Sequence, residues 1–245
     1  MVDSSERDRV EFPKSIYTSR SLEKLKLVGY QYNYMYVSKS MGFRALKELR
    51  LHQVEFSREG FNEEIFLQCP CLEILSLVSC CLASYDNSMM ISASRLKTLE
   101  IVYGRLGLKP HVVIIAPMLS YFKFAGPRPM SLALSNCTSA LEVIDIDIQE
   151  GLSNEGDKRK KWIIERLIDM LKEFRDAKSV IISLKTLEVL STMPSLLQGQ
   201  ESPLANLKNL QLKTNWSELA PGWRFLRNKS PNVNAALHED LNKLL

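Results

Sequence analysis

The stretch Leu72-Glu73-Ile74-Leu75-Ser76-Leu77-Val78-Ser79-Cys80-Cys81-Leu82 places leucines at intervals of three and then two, and a small polar group three residues later. Within it, Leu75-Ser76-Leu77 alternates with the period of two that a half-buried strand requires. The same apolar-x-x-apolar-x-apolar unit recurs on both sides. Upstream lie Leu46-Leu49-Leu51 and Leu22-Leu25-Leu27; downstream lie Leu96-Leu99-Ile101, Leu119-Phe122-Phe124 and Leu141-Ile144-Ile146. Two more distant copies follow, Ala177-Val180-Ile182 and Leu207-Leu210-Leu212. From copy to copy the first positions are 24, 26, 24, 23, 22, 36 and 30 residues apart.

Five of those seven gaps fall within the roughly 20–29 residues of a leucine-rich repeat. The expected fold class is therefore α/β: a leucine-rich repeat solenoid, a curved arc with a parallel sheet on its concave face and helices and loops on its convex face. No unit is stable alone, because each buries its leucines against the next. Cys80 stands where such repeats place Asn or Cys, and it is expected to bond the turn after the strand.

Residues flanking the core leucines point out of the concave face. They are Lys24 and Lys26, Glu48 and Arg50, Ile74 and Ser76, Thr98 and Glu100, Tyr121 and Lys123, Val143 and Asp145, Ser179 and Ile181, Asn209 and Gln211. The row mixes both charges with apolar and amide groups and gathers no set of catalytic types, which suits a surface that binds a protein. The expected partner contacts are Lys24, Lys26, Glu48, Arg50, Thr98, Glu100, Tyr121, Lys123, Asp145, Asn209 and Gln211. Of these, Arg50, Tyr121 and Lys123 are favoured, because large aromatic and Arg groups tend to carry interface energy.

The 36-residue gap holds an insertion. Gly151 to Gly156 reads as a loop, and Ile163, Ile164, Leu167, Ile168, Leu171 and Phe174 recur at three and four residues as one helical stripe. A helical insertion is thus expected near 157–174, a second run over Leu184 to Leu190, and a short helix over Pro221 to Asn228. Lys158-Arg159-Lys160-Lys161 has the form of a nuclear signal or nucleic-acid patch, but four charges opening a surface helix read more simply as a solvated face.

Composition narrows the function classes. The chain has 245 residues, 37 leucines, a hydrophobic share of 45% and a formal net charge of +4, an ordinary globular balance. No stretch without Asp, Glu, Lys or Arg exceeds the 13 residues of Pro110 to Phe122, short of the roughly 18 a membrane span takes. The charged start Asp3 to Arg9 is unlike a signal peptide, so a cytoplasmic or nuclear setting is expected. Cys69, Cys71, Cys80, Cys81 and Cys137 are odd in number and read as free thiols; their spacing lacks the two-residue separations of a zinc site. His52, His111 and His238 lie far apart, and no phosphate loop, dinucleotide fingerprint, His-Glu-x-x-His or Gly-x-Ser-x-Gly occurs. Neither catalytic residue, cofactor nor metal is expected, and neither a membrane nor nucleic acid is the expected partner.

Several stretches together resemble the plant F-box/FBD/LRR-repeat proteins. Cys69-Pro70-Cys71-Leu72-Glu73-Ile74-Leu75 is similar to the family's recurrent CPxLExL element, the most specific match. Phe12 to Tyr17 before Ser21-Leu22 resembles the approach to its first repeat, and Ala116-Pro117-Met118-Leu119 resembles its APxL opening. Ala177-Lys178-Ser179-Val180 looks like its VKSL-type strand, Leu204 to Trp216 like the start of the FBD region, and Phe225 to Asn232 like its LLKNSPNL closing turn. At the close, Asn232-Val233-Asn234-Ala235-Ala236 stands where the family has an apolar strand.

The resemblance implies a lead-in segment over 1–20, leucine-rich repeats over 21–200 and an FBD-like region over 201–245. It also implies a substrate-receptor role in an SCF-type ubiquitin ligase, where the repeats hold the target and the F-box holds a Skp-type adaptor. Because the first repeat begins at Leu22, residues 1–20 leave no room for an F-box of roughly 40–50 residues. The expectation is a target-holding module that does not bind the adaptor, or a truncated product that competes for targets.

Overall fold

The computed structural model describes residues 10–11, 16, 19–29, 35–37, 42–56, 66–82, 88–103, 111–135, 141–198, 202–204, 206–213 and 234–237. The expected helix over 221–228, Cys137 and most of the FBD-like stretch lie outside these residues. The chain forms two compact units, Met1–Leu119 with Leu134–Cys137, and Ser120–Ala133 with Thr138–Leu245.

The first unit runs β1 (Val10–Glu11), β2 (Lys24–Val28), β3 (Met35–Val37), β4 (Glu48–His52), β5 (Val54–Phe56), β6 (Ile74–Val78), β7 (Cys81–Leu82), β8 (Ser88–Ser92), β9 (Thr98–Val102) and β10 (His111–Ile115). The repeat strands pair in parallel, β2 with β4, β4 with β6 and β6 with β9, so that Leu25, Leu49, Leu75 and Leu99 stand in one register row and Leu27, Leu51, Leu77 and Ile101 in another. Leu49, Leu75 and Leu99 are fully buried, each worth about 2 kcal/mol against exposure. Leu22, at the open end, is only half-buried.

Each coil is pinned by one carbonyl that accepts from two amides of the next. Glu23 O takes Lys47 N and Glu48 N, Lys47 O takes Glu73 N and Ile74 N, and Glu73 O takes Lys97 N and Thr98 N. Among the described residues the return segments include short strands: β3 pairs with β1 and β5, β5 with β7, and β8 with β10, all in parallel. Cys80 behaves as its place in the repeat requires, with its thiol donating to Leu51 O of the preceding coil at 3.4 Å and to Val78 O at 3.6 Å.

The second unit contains β11 (Tyr121–Gly126), most of β12 (Ser131–Ser135), β13 (Val143–Ile148), α1 (Asp157–Lys172), β14 (Ser179–Ile182), α2 (Leu184–Ser191), a 3-10 turn at Pro194–Leu196, β15 (Asn209–Leu212) and β16 (Asn234–Leu237). Here the longer gaps are filled by helices, and all six residues of the stripe Ile163 to Phe174 are buried. The Phe174 ring lies 4.9 Å from that of Phe122, tying the end of α1 to β11. Ser183 caps α2 by accepting from Thr186 N, and buried Thr186 Oγ1 accepts from Ile148 N at 2.7 Å. The same carbonyl device continues at Ser120, Glu142 and Lys178. At the far end β16 pairs in parallel with β15, Asn209 with Asn234 and Leu212 with Leu237. Backbone pairing thus forms a strand over Asn234–Leu237, where the sequence is less apolar than in the family it resembles.

Candidate functional site

The alternation of the repeat strands sets the expected contact residues on the side of the sheet opposite the leucine core, and among the described residues their exposure differs from one to the next. In the first unit, β2 brings Lys24 opposite Glu48 and Lys26 opposite Arg50; further along the same rows stand Ile74 with Thr98 and Ser76 with Glu100. Glu48 lies between two cations, 3.2 Å from Lys24 Nζ and 2.5 Å from Arg50 Nε. The Arg50 guanidinium and then the Lys24 ammonium hold its carboxyl below the usual carboxylate range. Ser76 Oγ donates to Glu100 Oε2 at 2.8 Å. The Lys24 side chain is 77% exposed and that of Arg50 47%.

The second unit's face is quieter. Tyr121, Val143, Ser179 and Asn209 share one row, and Lys123, Asp145, Ile181 and Gln211 the next. Asp145, expected to point outward as a contact, is only 4% exposed. Lys213, one residue past β15, folds over it with Nζ 2.5 Å from Oδ1, and Tyr121 Oη reaches Oδ2 at 3.5 Å. Burial pushes the Asp145 carboxyl up, against the pull of Lys213. Ile181, in the same row, is also buried. A sequence reading could place Asp145 on the face but could not show that Lys213, 68 positions downstream, covers it.

Away from these faces, a cavity of about 320 Å³ in the first unit is lined by Phe66, Leu67, Cys69, Ala93, Ile115 and Pro117, among others. Its one titratable wall group is Cys69, whose thiol is pushed up to about 11 by burial. A thiol held so high is a poor nucleophile at neutral pH. Among the described residues, no three His, Cys, Asp or Glu side chains gather as a metal site, and no helix is long and apolar enough to cross a membrane. The basic run opens α1 in regular helix, where Arg159 and Arg166 stack on Trp162 at 5.4 and 5.2 Å.

Stacked parallel coils with an open sheet face define a leucine-rich repeat protein. The family "FBD-associated F-box protein At5g56370, LRR repeats" matches residues 1–144, and the chain belongs to it. Among curated relatives from Arabidopsis thaliana, FBD-associated F-box protein At4g13985 is 32% identical over 75% of this chain and 39% of its own length. F-box/LRR-repeat protein 13 is 28% identical over 74% of this chain and 40% of its own, and FBD-associated F-box protein At5g60610 is 26% identical over 68% and 43%. The chain therefore spans about two-fifths of the length of these relatives. No solved structure matches it.

Proposed function

We propose that this chain is a non-catalytic interaction module whose open sheet faces hold a protein target, as the target-holding part of an F-box-type substrate receptor of an SCF-type ubiquitin ligase. The observation that carries the reading is the face itself. Parallel strands present Lys24, Lys26, Arg50, Tyr121 and Lys123 in register rows, beside core residues such as Leu27, Leu49, Leu51, Phe122 and Phe124 that fix their positions. Rigid elements carrying large side chains are what a recognition surface needs.

The test is site-specific photo-cross-linking in Arabidopsis extract. A benzophenone side chain is placed at Thr98, Lys123 or Gln211 on the faces, and at Lys172 or Glu188 on the helices as controls. Adducts of the same protein at face positions and not at the helix positions are expected; adducts at the helix positions alone would overturn the reading. With the partner identified, Tyr121→Ala should weaken binding about 10-fold while leaving the unfolding midpoint near that of the parent. The reading also assigns the Skp-type adaptor to the F-box and not to these repeats. No adaptor binding by interferometry is expected, and sub-micromolar binding would make the repeats an adaptor surface instead.

A further inference from the structure

We infer that the β2–β4 end of the first unit's open face takes an acidic segment of the protein partner, its carboxylates seated against Lys24, Lys26 and Arg50. This rests on the reading of the face as a docking surface. Just before the repeat strands, neighbouring coils carry opposite charges: Lys47 reaches Glu23 at 2.9 Å, Lys97 reaches Glu73 at 2.8 Å and Lys178 reaches Glu142 at 3.5 Å. On the face, by contrast, Lys26 and Arg50 are direct register partners. Adjacent strands lie about 4.8 Å apart, and like charges set opposite one another destabilise a sheet.

The local carboxylate does not balance this pair. Glu48 is the one acid at the face positions of β2 and β4, and it is shared by Lys24 and Arg50. Lys26 has no ion-pair partner among the described residues, so three cations face one anion. Arg50 meets Glu48 through Nε, which directs its two terminal nitrogens to a further acceptor, in the forked geometry that suits a carboxylate. On β6 the neighbouring face residues, Ile74 and Ser76, are uncharged, and Glu100 lies one strand beyond with Ser76 donating to it. Glu100 marks where an acidic segment should end. Beside the cations, Val28 is 42% exposed and offers an apolar contact. The basic area is a compact spot rather than a stripe, and the second unit's face sets Lys123 and Lys213 against Asp145 and Asp147. That distribution favours a short acidic peptide over the phosphate track of a nucleic acid.

The experiment uses the full chain and a fluorescein-labelled octapeptide of six Glu and two Leu, read by fluorescence anisotropy. Peptides with the six Glu replaced by Gln or by Lys serve as controls. At about 50 mM salt the acidic peptide should bind at least about 10-fold more tightly than the Gln peptide, and it should weaken at least about 5-fold at about 300 mM salt. Lys26→Glu with Arg50→Glu should cost at least about 10-fold, the milder Lys26→Gln with Arg50→Gln should cost less, and Lys123→Glu on the second unit less than about 2-fold. Equal binding of the Gln peptide, indifference to the charge reversals, an equal loss from Lys123→Glu, or equally tight binding of a single-stranded RNA oligonucleotide would each overturn the inference. Cross-linking separates this failure from that of the docking reading. Face adducts that survive the charge reversal unchanged remove only the acidic partner, whereas adducts at no face position remove the docking surface itself.

Discussion

The two units share one repeat grammar and differ in what carries the chain back between repeat strands. In the first, gaps of 24 and 26 residues separate the opening copies, and the returns are short strands such as β5 and β8. In the second, gaps of 36 and 30 residues give room for α1 and α2. The core changes with them: the first unit packs return-strand residues such as Val54, Ile91 and Ile114 with Phe43 and Phe66 behind its leucine rows, while the second packs helix residues and the Phe122–Phe174 pair behind its sheet. The faces differ as well. The β2–β4 end of the first unit's is exposed and carries surplus positive charge; the second's holds a covered carboxylate. Repeat length thus sets the backing of the sheet, while the residues between the leucines set its chemistry.

The largest expected effect tests whether the helical backing belongs to the second unit alone. Phe174→Ala removes a fully buried ring and should cost about 3–5 kcal/mol. In a repeat array each coil contacts mainly its neighbours, so the damage should stay local. Hydrogen exchange followed by mass spectrometry should show lost protection over residues 141–198, with residues 72–102 close to the parent. Equal loss in both stretches would mean that the units unfold as one body.

Next in size is the covered carboxylate. Lys213→Met leaves Asp145 buried without its cation and should cost about 2–3 kcal/mol in urea unfolding, at the low end for a broken buried pair because Lys213 is partly exposed. Adding Asp145→Asn should recover most of that loss, which a double-mutant cycle measures. The sign with pH follows from the shifts. Glu48 and Glu73 are held low by their cations, so they contribute stability above their unfolded values, and it is lost as pH falls through the lower folded ones. Asp145 is held high by burial; its ionisation costs stability above the unfolded value, and the cost is relieved as pH falls through the folded one. Glu48→Gln with Glu73→Gln should therefore flatten the decline of the urea midpoint between about pH 5 and 3, and Asp145→Asn should steepen it. Parallel curves for the two variants would erase the contrast between the faces.

Much of this architecture was legible because it is periodic. All eight copies of the leucine unit became strands, and the stripe from Ile163 to Phe174 became a helix face, since each follows from spacing alone. The short return strands were not legible. Two- or three-residue strands such as Met35–Val37 and Cys81–Leu82 are too short to show alternation. At β16 an extended segment is expected after Pro231, but its pairing with β15 is made through the backbone, which a side-chain pattern does not reveal. At the site, alternation in the strands assigned the residues between the core positions to one side of the sheet, but burial of Asp145 depends on Lys213 and could be seen only in three dimensions.

The smallest expected effect concerns the bend after the strand. Gln53 and Ser79 occupy equivalent positions after β4 and β6, and both have left-handed backbones, with φ of 54° and 52°. Their amides donate to Val78 O and Val102 O of the following strand, so the kink is held by the next coil rather than by the side chain. A residue with a Cβ is disfavoured there by about 1 kcal/mol or more, and glycine is not. Gln53→Gly and Ser79→Gly should thus each stabilise the chain by about 0.5–1 kcal/mol, even though glycine gains more freedom in the unfolded state. In the second unit the residue after β13, Gln149, is not left-handed, so Gln149→Gly should cost a similar amount. Thermal unfolding of the three variants measures this, with Tm rising for the first two and falling for the third. A fall in all three would mean that unfolded-state entropy outweighs the strain, and that the two units turn their chains at the same cost.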